Sequence, residues 1–170
     1  MPTRTAPATH QVEVGGVRLT HFDWLGKPSN SEPPLIFAHA TGFHARVWDA
    51  VIEHFPDRRC IALDLRGHGR SEGGPIDDWR IVAEDVKTVL DRLGIRRAVG
   101  VGHSMGGQIT LRAMVVSPDI KAGVIWAGVV SPYPDVIARW DYTRNPDFPP
   151  EMVENIAATP ESSAGNWLRN

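Results

Sequence analysis

One segment of this sequence has residue types suited to covalent chemistry: Gly102-His103-Ser104-Met105-Gly106, extended by Gly107. A serine centred in G-x-S-x-G, after a strand and before a helix, occupies a turn so sharp that its hydroxyl stands clear of the backbone. Glycines suit the flanking positions, because the turn strains the serine and brings neighbouring backbone close on both sides. The chemistry on offer is attack by the Ser104 hydroxyl on a carbonyl carbon. The structural alternative is a glycine-rich turn that happens to hold a serine, and the strand before and helix after weigh against it. Two other uses of a glycine loop fail on spacing. A dinucleotide fingerprint starting at Gly100 and Gly102 needs a third glycine where Met105 stands, and a phosphate-binding P-loop needs a lysine that is absent.

Other polar residues carry weaker signals. His39 and His103 could act as bases or brace their loops through hydrogen bonds; the bracing role is favoured, since a neighbour in the elbow cannot easily swing onto the serine oxygen. Asp64 follows a strand end, where an acid could serve catalysis or architecture. The seven histidines show no H-E-x-x-H or comparable ligand spacing, and Asp77-Asp78 reads as a helix start. No metal and no cofactor is expected.

The elements that must position Ser104 follow from hydrophobic periodicity. Val12 to Val14 and Val17 to Asp23, joined by Gly15-Gly16, read as a hairpin, because adjacent glycines supply the positive φ values of a two-residue turn. Leu35 to Ala38 and Cys60 to Leu63 are short continuous apolar runs, as strands buried on both faces are. A helix is expected from about Val47 to Phe55. A second begins after the N-cap Asp78, carries apolar residues at Trp79, Val82, Val86, Leu90 and Leu93, and stops at Gly94. Ala98 to Gly102 is another strand, Gly106 to Val116 a buried helix stopped before Pro118, and Ala122 to Val130 a last strand. Strands alternating with helices describe an α/β fold: a mostly parallel sheet with helices on both faces and an antiparallel hairpin at one edge. Beyond Ser131 come scattered aromatics and many prolines, read as short helices, with Thr159-Pro160-Glu161 starting one.

Composition bounds the rest. The chain has 170 residues, 42% hydrophobic and 22% charged, which suits one globular domain or part of one. A formal charge of -2 offers no basic field for nucleic acid or an anionic membrane. The longest apolar stretch, Gly123 to Val130, is far short of the roughly 20 residues that span a bilayer. The N-terminus has no apolar run of the kind a secretory signal needs, and Cys60 is the single cysteine, so a cytoplasmic location is expected.

With three blocks in view, His39-Ala40-Thr41-Gly42-Phe43, Asp64-Leu65-Arg66-Gly67-His68-Gly69-Arg70-Ser71 and the serine turn, the sequence resembles the α/β-hydrolase family over about residues 12 to 130. The resemblance implies that Ser104 is the nucleophile and that the backbone N–H groups of Met105 and Thr41 form the oxyanion hole, with Phe43 a candidate wall of the acyl site. Ala40 stands where most members have glycine. The implied activity is hydrolysis of an ester, thioester or related small-molecule acyl substrate. Position 104 being serine excludes the members that use aspartate there, such as epoxide hydrolases and haloalkane dehalogenases.

The family's acid and histidine follow its serine, which would require roughly a hundred further residues. No histidine follows His103, while Asp119 closes a helix and Asp135 is a weak candidate for an alternative acid. The expectation is therefore a truncated core: residues 1-131 as the N-terminal part, with strands 1-6, and 132-170 as the beginning of a cap. On that reading the last strand presents an unpaired apolar edge, and residues 1 to 170 alone are expected to be poorly soluble or oligomeric. Two alternatives stay open: a non-catalytic binding or assembly module that keeps the fold, and an enzyme whose acid and histidine come from a partner chain.

Overall fold

The computed structural model describes residues 4–74, 76 and 78–126. The chain divides into two units, 1–128 and 129–170, and every element described here belongs to the first. The expected end of the last strand at Val130, the proline-rich segment, the helix start at Thr159 and the candidate acid Asp135 lie outside the described residues.

A hairpin opens the fold. β1 (Ala8–Val14) and β2 (Val17–Trp24) pair antiparallel through Gly15 and Gly16, whose φ values of 54° and 81° are those a tight turn between twisted strands demands. β1 begins four residues before the expected position. Then follow β3 (Leu35–Ala38), β4 (Cys60–Leu63), β5 (Ala98–His103) and β6 (Ile120–Trp126) in a six-stranded sheet of order β1-β2-β4-β3-β5-β6. β2 meets β4 antiparallel; the β4-β3, β3-β5 and β5-β6 pairs are parallel.

The pleat sends alternate residues of each apolar run to opposite faces. Ile36, Ala38, Ile61, Leu63 and Ala98 join one core with Val82, Val86, Val89 and Leu90 of α2 (Trp79–Arg92) and Ile109 and Ala113 of α3 (Met105–Val116). Leu35, Phe37, Cys60 and Ala62 join the other, with Phe22, Trp24, Trp48 and Ile52. Burying one such large apolar side chain is worth roughly 1.5–3 kcal/mol, so each run holds helices on both faces of the sheet.

α2 begins where Asp78 accepts from Arg80 N and ends at Gly94, with φ 65°, as the sequence indicates. The expected helix from Val47 to Phe55 is instead a 3₁₀ turn, Ala45–Trp48, running into a single turn of α1, Asp49–Ile52. Its buried residues Ala45, Trp48 and Ile52 seat it on the sheet by tertiary packing, while Pro56 lies too close for a longer helix to continue. β6 starts two residues before the expected Ala122. Among the described residues no helix is long and apolar enough to cross a membrane.

Candidate active site

Ser104 stands between the last residue of β5 and the first of α3, with φ 51° and ψ -116°. It is the one non-glycine residue with positive φ among those described, in a region that side chains with a Cβ avoid. Its carbonyl accepts from Gly107 N at 2.9 Å and Gln108 N at 3.2 Å, so the residue caps α3 through its backbone. The side chain makes no capping hydrogen bond, although serine at a helix start ordinarily does. The side chain is thus not spent on capping, at the positive end of a helix dipole.

Close packing enforces this turn. On the α3 side of β5 the side chains are Ala98, then Gly100 and Gly102, so the helix settles almost on the strand. A Cβ on Gly102 would lie 2.3 Å from the Gly106 carbonyl oxygen, and one on Gly106 would lie 2.1 Å from that of Ala38. Neither position tolerates a side chain without backbone movement. Thr110, whose Oγ1 donates to Gly106 O at 2.8 Å, fills the space over Gly100.

Met105 is the first residue of α3, so its N–H has no intrahelical acceptor. Thr41 lies on the loop after β3. β3 and β5 pair with Ala38 opposite Gly102, and a Cβ on Gly106 would meet His39 O at 2.6 Å, so the end of β3 lies against the start of α3. Phe43 N donates to Ala40 O at 3.2 Å and Gly42 has φ 81°, the signature of a turn with glycine in third place. The left-handed position is thus taken by Gly42. Ala40 keeps negative φ and is buried, so alanine is accommodated at this position. Thr41 is exposed and Phe43 is half exposed on the same loop.

The loop after β4 braces this arrangement. Asp64 is buried, and its carboxylate accepts from Ala45 N at 2.6 Å and Arg70 N at 2.8 Å. Gly69, with φ 55°, packs so tightly on that carboxylate that a Cβ would come within 2.3 Å of it. Ser71 Oγ donates to Asp64 O at 2.5 Å and accepts from Thr20 N at 2.8 Å. Arg66 forms a two-pronged buried ion pair with Asp85 of α2 at 2.8 and 2.6 Å, which holds the guanidinium above its usual pKa. Asp64 is therefore committed to architecture.

His39 is fully buried, with Leu65 N donating to Nε2 at 3.0 Å and Nδ1 lying 2.8 Å from Ala40 O. Burial pushes it down to about 3, so it is neutral near pH 7 and both ring nitrogens are engaged. Its ring lies 4.9 Å from that of His68, which burial also holds below its usual range. His103 is half-buried at the end of β5. Among the described residues no group of three or more metal-ligating side chains comes together.

Three features were not anticipated from sequence: the small-residue face of β5, the Leu65 hydrogen bond to His39 and the Arg66–Asp85 pair. The first had a visible signal, since Ala98, Gly100 and Gly102 alternate as small residues. The other two join residues 26 and 19 positions apart and had none.

The chain is similar to known proteins in sequence and in fold. The chain is 36% identical over 125 residues to the dihydrolipoyllysine-residue acetyltransferase component of an acetoin cleaving system from Pseudomonas putida, covering 69% of this chain and 32% of that protein. It is 32% identical over 148 residues to a bifunctional esterase/perhydrolase of Acinetobacter calcoaceticus, covering 83% of this chain and 50% of that one. The chain thus spans about a third of the length of the first relative and half of the second. A hydrolase from Pseudomonas aeruginosa has the same fold, with a TM-score of 0.71 at 24% identity over 89% of this chain and 54% of that one. The model of the alpha/beta hydrolase fold matches residues 33–169, and the chain belongs to that family.

Proposed function

We propose that this chain carries the nucleophile and oxyanion hole of an esterase-like serine hydrolase, acting on an ester, thioester or related small-molecule acyl substrate. The observation that carries the reading is the backbone of Ser104: a strained φ of 51°, held by glycines that admit no Cβ, with the hydroxyl not spent on capping α3. Strain of this kind, of order 1–3 kcal/mol, persists where the surroundings over-determine it, as at active sites.

In the proposed reaction the Ser104 oxygen bonds to the substrate carbonyl carbon, and a base takes the hydroxyl proton. The carbonyl oxygen becomes negative between the N–H groups of Met105 and Thr41, donors that are each worth about 3–4 kcal/mol when well placed. Collapse expels the alcohol or thiol, which receives that proton, and water then releases the acid from acyl-Ser104 by the reverse sequence. Phe43, half exposed two residues after Thr41, is the proposed wall for the acyl group.

Serine needs a base near neutral pH. His39 and His68 are buried and neutral, and no histidine follows His103, so on this reading the acid and histidine lie outside these 170 residues. The spans of 32% and 50% of the two relatives' lengths support it. The test is labelling of the natural full-length protein with a fluorophosphonate probe. Modification of Ser104, abolished by Ser104→Ala, is expected; a folded protein that stays unlabelled overturns the reading.

A further inference from the structure

The second oxyanion donor belongs to the Ala40–Thr41 peptide, and that peptide's orientation depends on what holds its carbonyl. Ala40 O accepts from His39 Nδ1 at 2.8 Å and from Phe43 N at 3.2 Å. In a trans peptide the C=O and N–H point in opposite directions, and no cis peptide occurs among the described residues. Fixing the carbonyl toward the His39 ring therefore directs the Thr41 N–H away from it. That N–H has no backbone acceptor among the described residues.

The ring is fixed in turn. Leu65 N–H can only donate, so Nε2 carries no proton, and the neutral ring must hold its proton on Nδ1, where it donates to Ala40 O. An imidazolium would set Nε2–H against Leu65 N–H in a site with no solvent exposure. His68, with Nδ1 3.0 Å from Arg66 O, backs the ring at 53°. At the other end of the loop, Asp64 holds Ala45 N. The exposed segment 41–44 is thus suspended between two anchors on the loop after β4, beside the start of α3.

We propose that His39 is a positioning residue for the serine chemistry: its Nδ1–H holds the Ala40–Thr41 peptide so that the Thr41 N–H is presented to the oxygen of a substrate bound at Ser104. This rests on the reading of Ser104 as nucleophile. It adds that the second donor's aim is set by a ring that never touches substrate.

Two variants separate positioning from mere stability in the natural full-length protein. His39→Asn places an amide donor near the Nδ1 position and loses the acceptor for Leu65. His39→Gln keeps an acceptor toward Leu65 and loses the donor. With p-nitrophenyl acetate and a fluorophosphonate as probes, Gln is expected to lower kcat and the labelling rate about tenfold to a hundredfold with little change in KM, and Asn to restore them to within about threefold of wild type. Equal losses in both variants, losses that follow the fraction folded, or no loss in either overturn the proposal. Should either variant fail to fold, ¹⁵N NMR of the wild-type ring decides: the Nδ1–H tautomer supports the proposal and the Nε2–H tautomer overturns it. A wild-type protein unlabelled at Ser104 removes the nucleophile reading itself. Labelling at Ser104 with equal Asn and Gln losses removes only the role of His39.

Discussion

The turn after β5 and the loop after β4 both leave the carboxyl ends of parallel strands and both depend on glycine, but they are built to opposite ends. In the first, cost is concentrated in one backbone, at Ser104, and the side chain there is left without a capping bond. In the second, polar side chains are gathered inward and consumed: Asp64 by two N–H donors, Arg66 by Asp85, and Ser71 by Asp64 and Thr20. Half-buried in its strained turn, the Ser104 side chain is not consumed by capping. A buried carboxylate with its oxygens occupied is available only for support. On the proposed reading of Ser104, the two motif blocks divide labour, one presenting atoms and the other holding the frame.

The sharpest way to break that comparison is to remove the presented atom. Ser104→Ala is expected to lower activity toward an acyl substrate by about 10⁴-fold or more, while the melting temperature hardly moves. A variant that keeps its activity would place Ser104 with the frame. The converse experiment targets support. Asp85→Ala strands the Arg66 guanidinium in a buried site and is expected to cost about 3–5 kcal/mol in urea unfolding, whereas replacing both residues with apolar ones costs far less. Equal losses for the single and double replacements would show that the pair is not what holds the loop.

Gly106→Ala tests whether packing enforces the elbow, because its Cβ would come 2.1 Å from Ala38 O. A loss of about 3 kcal/mol is expected, against about 1–2 kcal/mol for Gly16→Ala, where strain is present but the space is open. Similar losses at the two positions would assign the elbow to local backbone preference.

Acid is the mildest probe. Burial takes His39 to about 3 and His21, on β2, to about 4, and lowers His68, so each is neutral when folded. Below their unfolded value near 6.5 the unfolded chain takes up protons that the native state refuses. Stability is therefore complete above that pH and falls as pH drops toward 4, by up to about 1.4 kcal/mol per histidine per pH unit. His39→Gln should therefore flatten the pH dependence of the urea midpoint, whereas Ser104→Ala, which removes no group that titrates in this range, should not. An unchanged slope in His39→Gln would count against a neutral, buried ring.

Much of this was legible from residue order alone. The hairpin needed Gly15-Gly16, α2 had Asp78 at one end and Gly94 at the other, and the short apolar runs at 35–38 and 60–63 coincide with β3 and β4. These depend on local backbone preference and side-chain period, which neighbouring residues encode. The Val47 to Phe55 helix came out shorter because Trp48 and Ile52 follow the sheet beneath them, and the period of an apolar pattern does not reveal how much of it the tertiary contact uses.

By itself, then, the sequence determined the type and order of elements, the location of Ser104 and the glycines its turn requires, since all of these are short-range consequences of residue type. Tertiary structure alone decided which polar residues remain free. Asp64, His39 and Arg66 carry side chains as capable of chemistry as any in the chain, and each is taken out of play by a partner 19 or 26 positions away. Whether a polar group is spent depends on which partner meets it after folding, and the Ser104 side chain, on a strained backbone, makes no capping bond to the helix it begins.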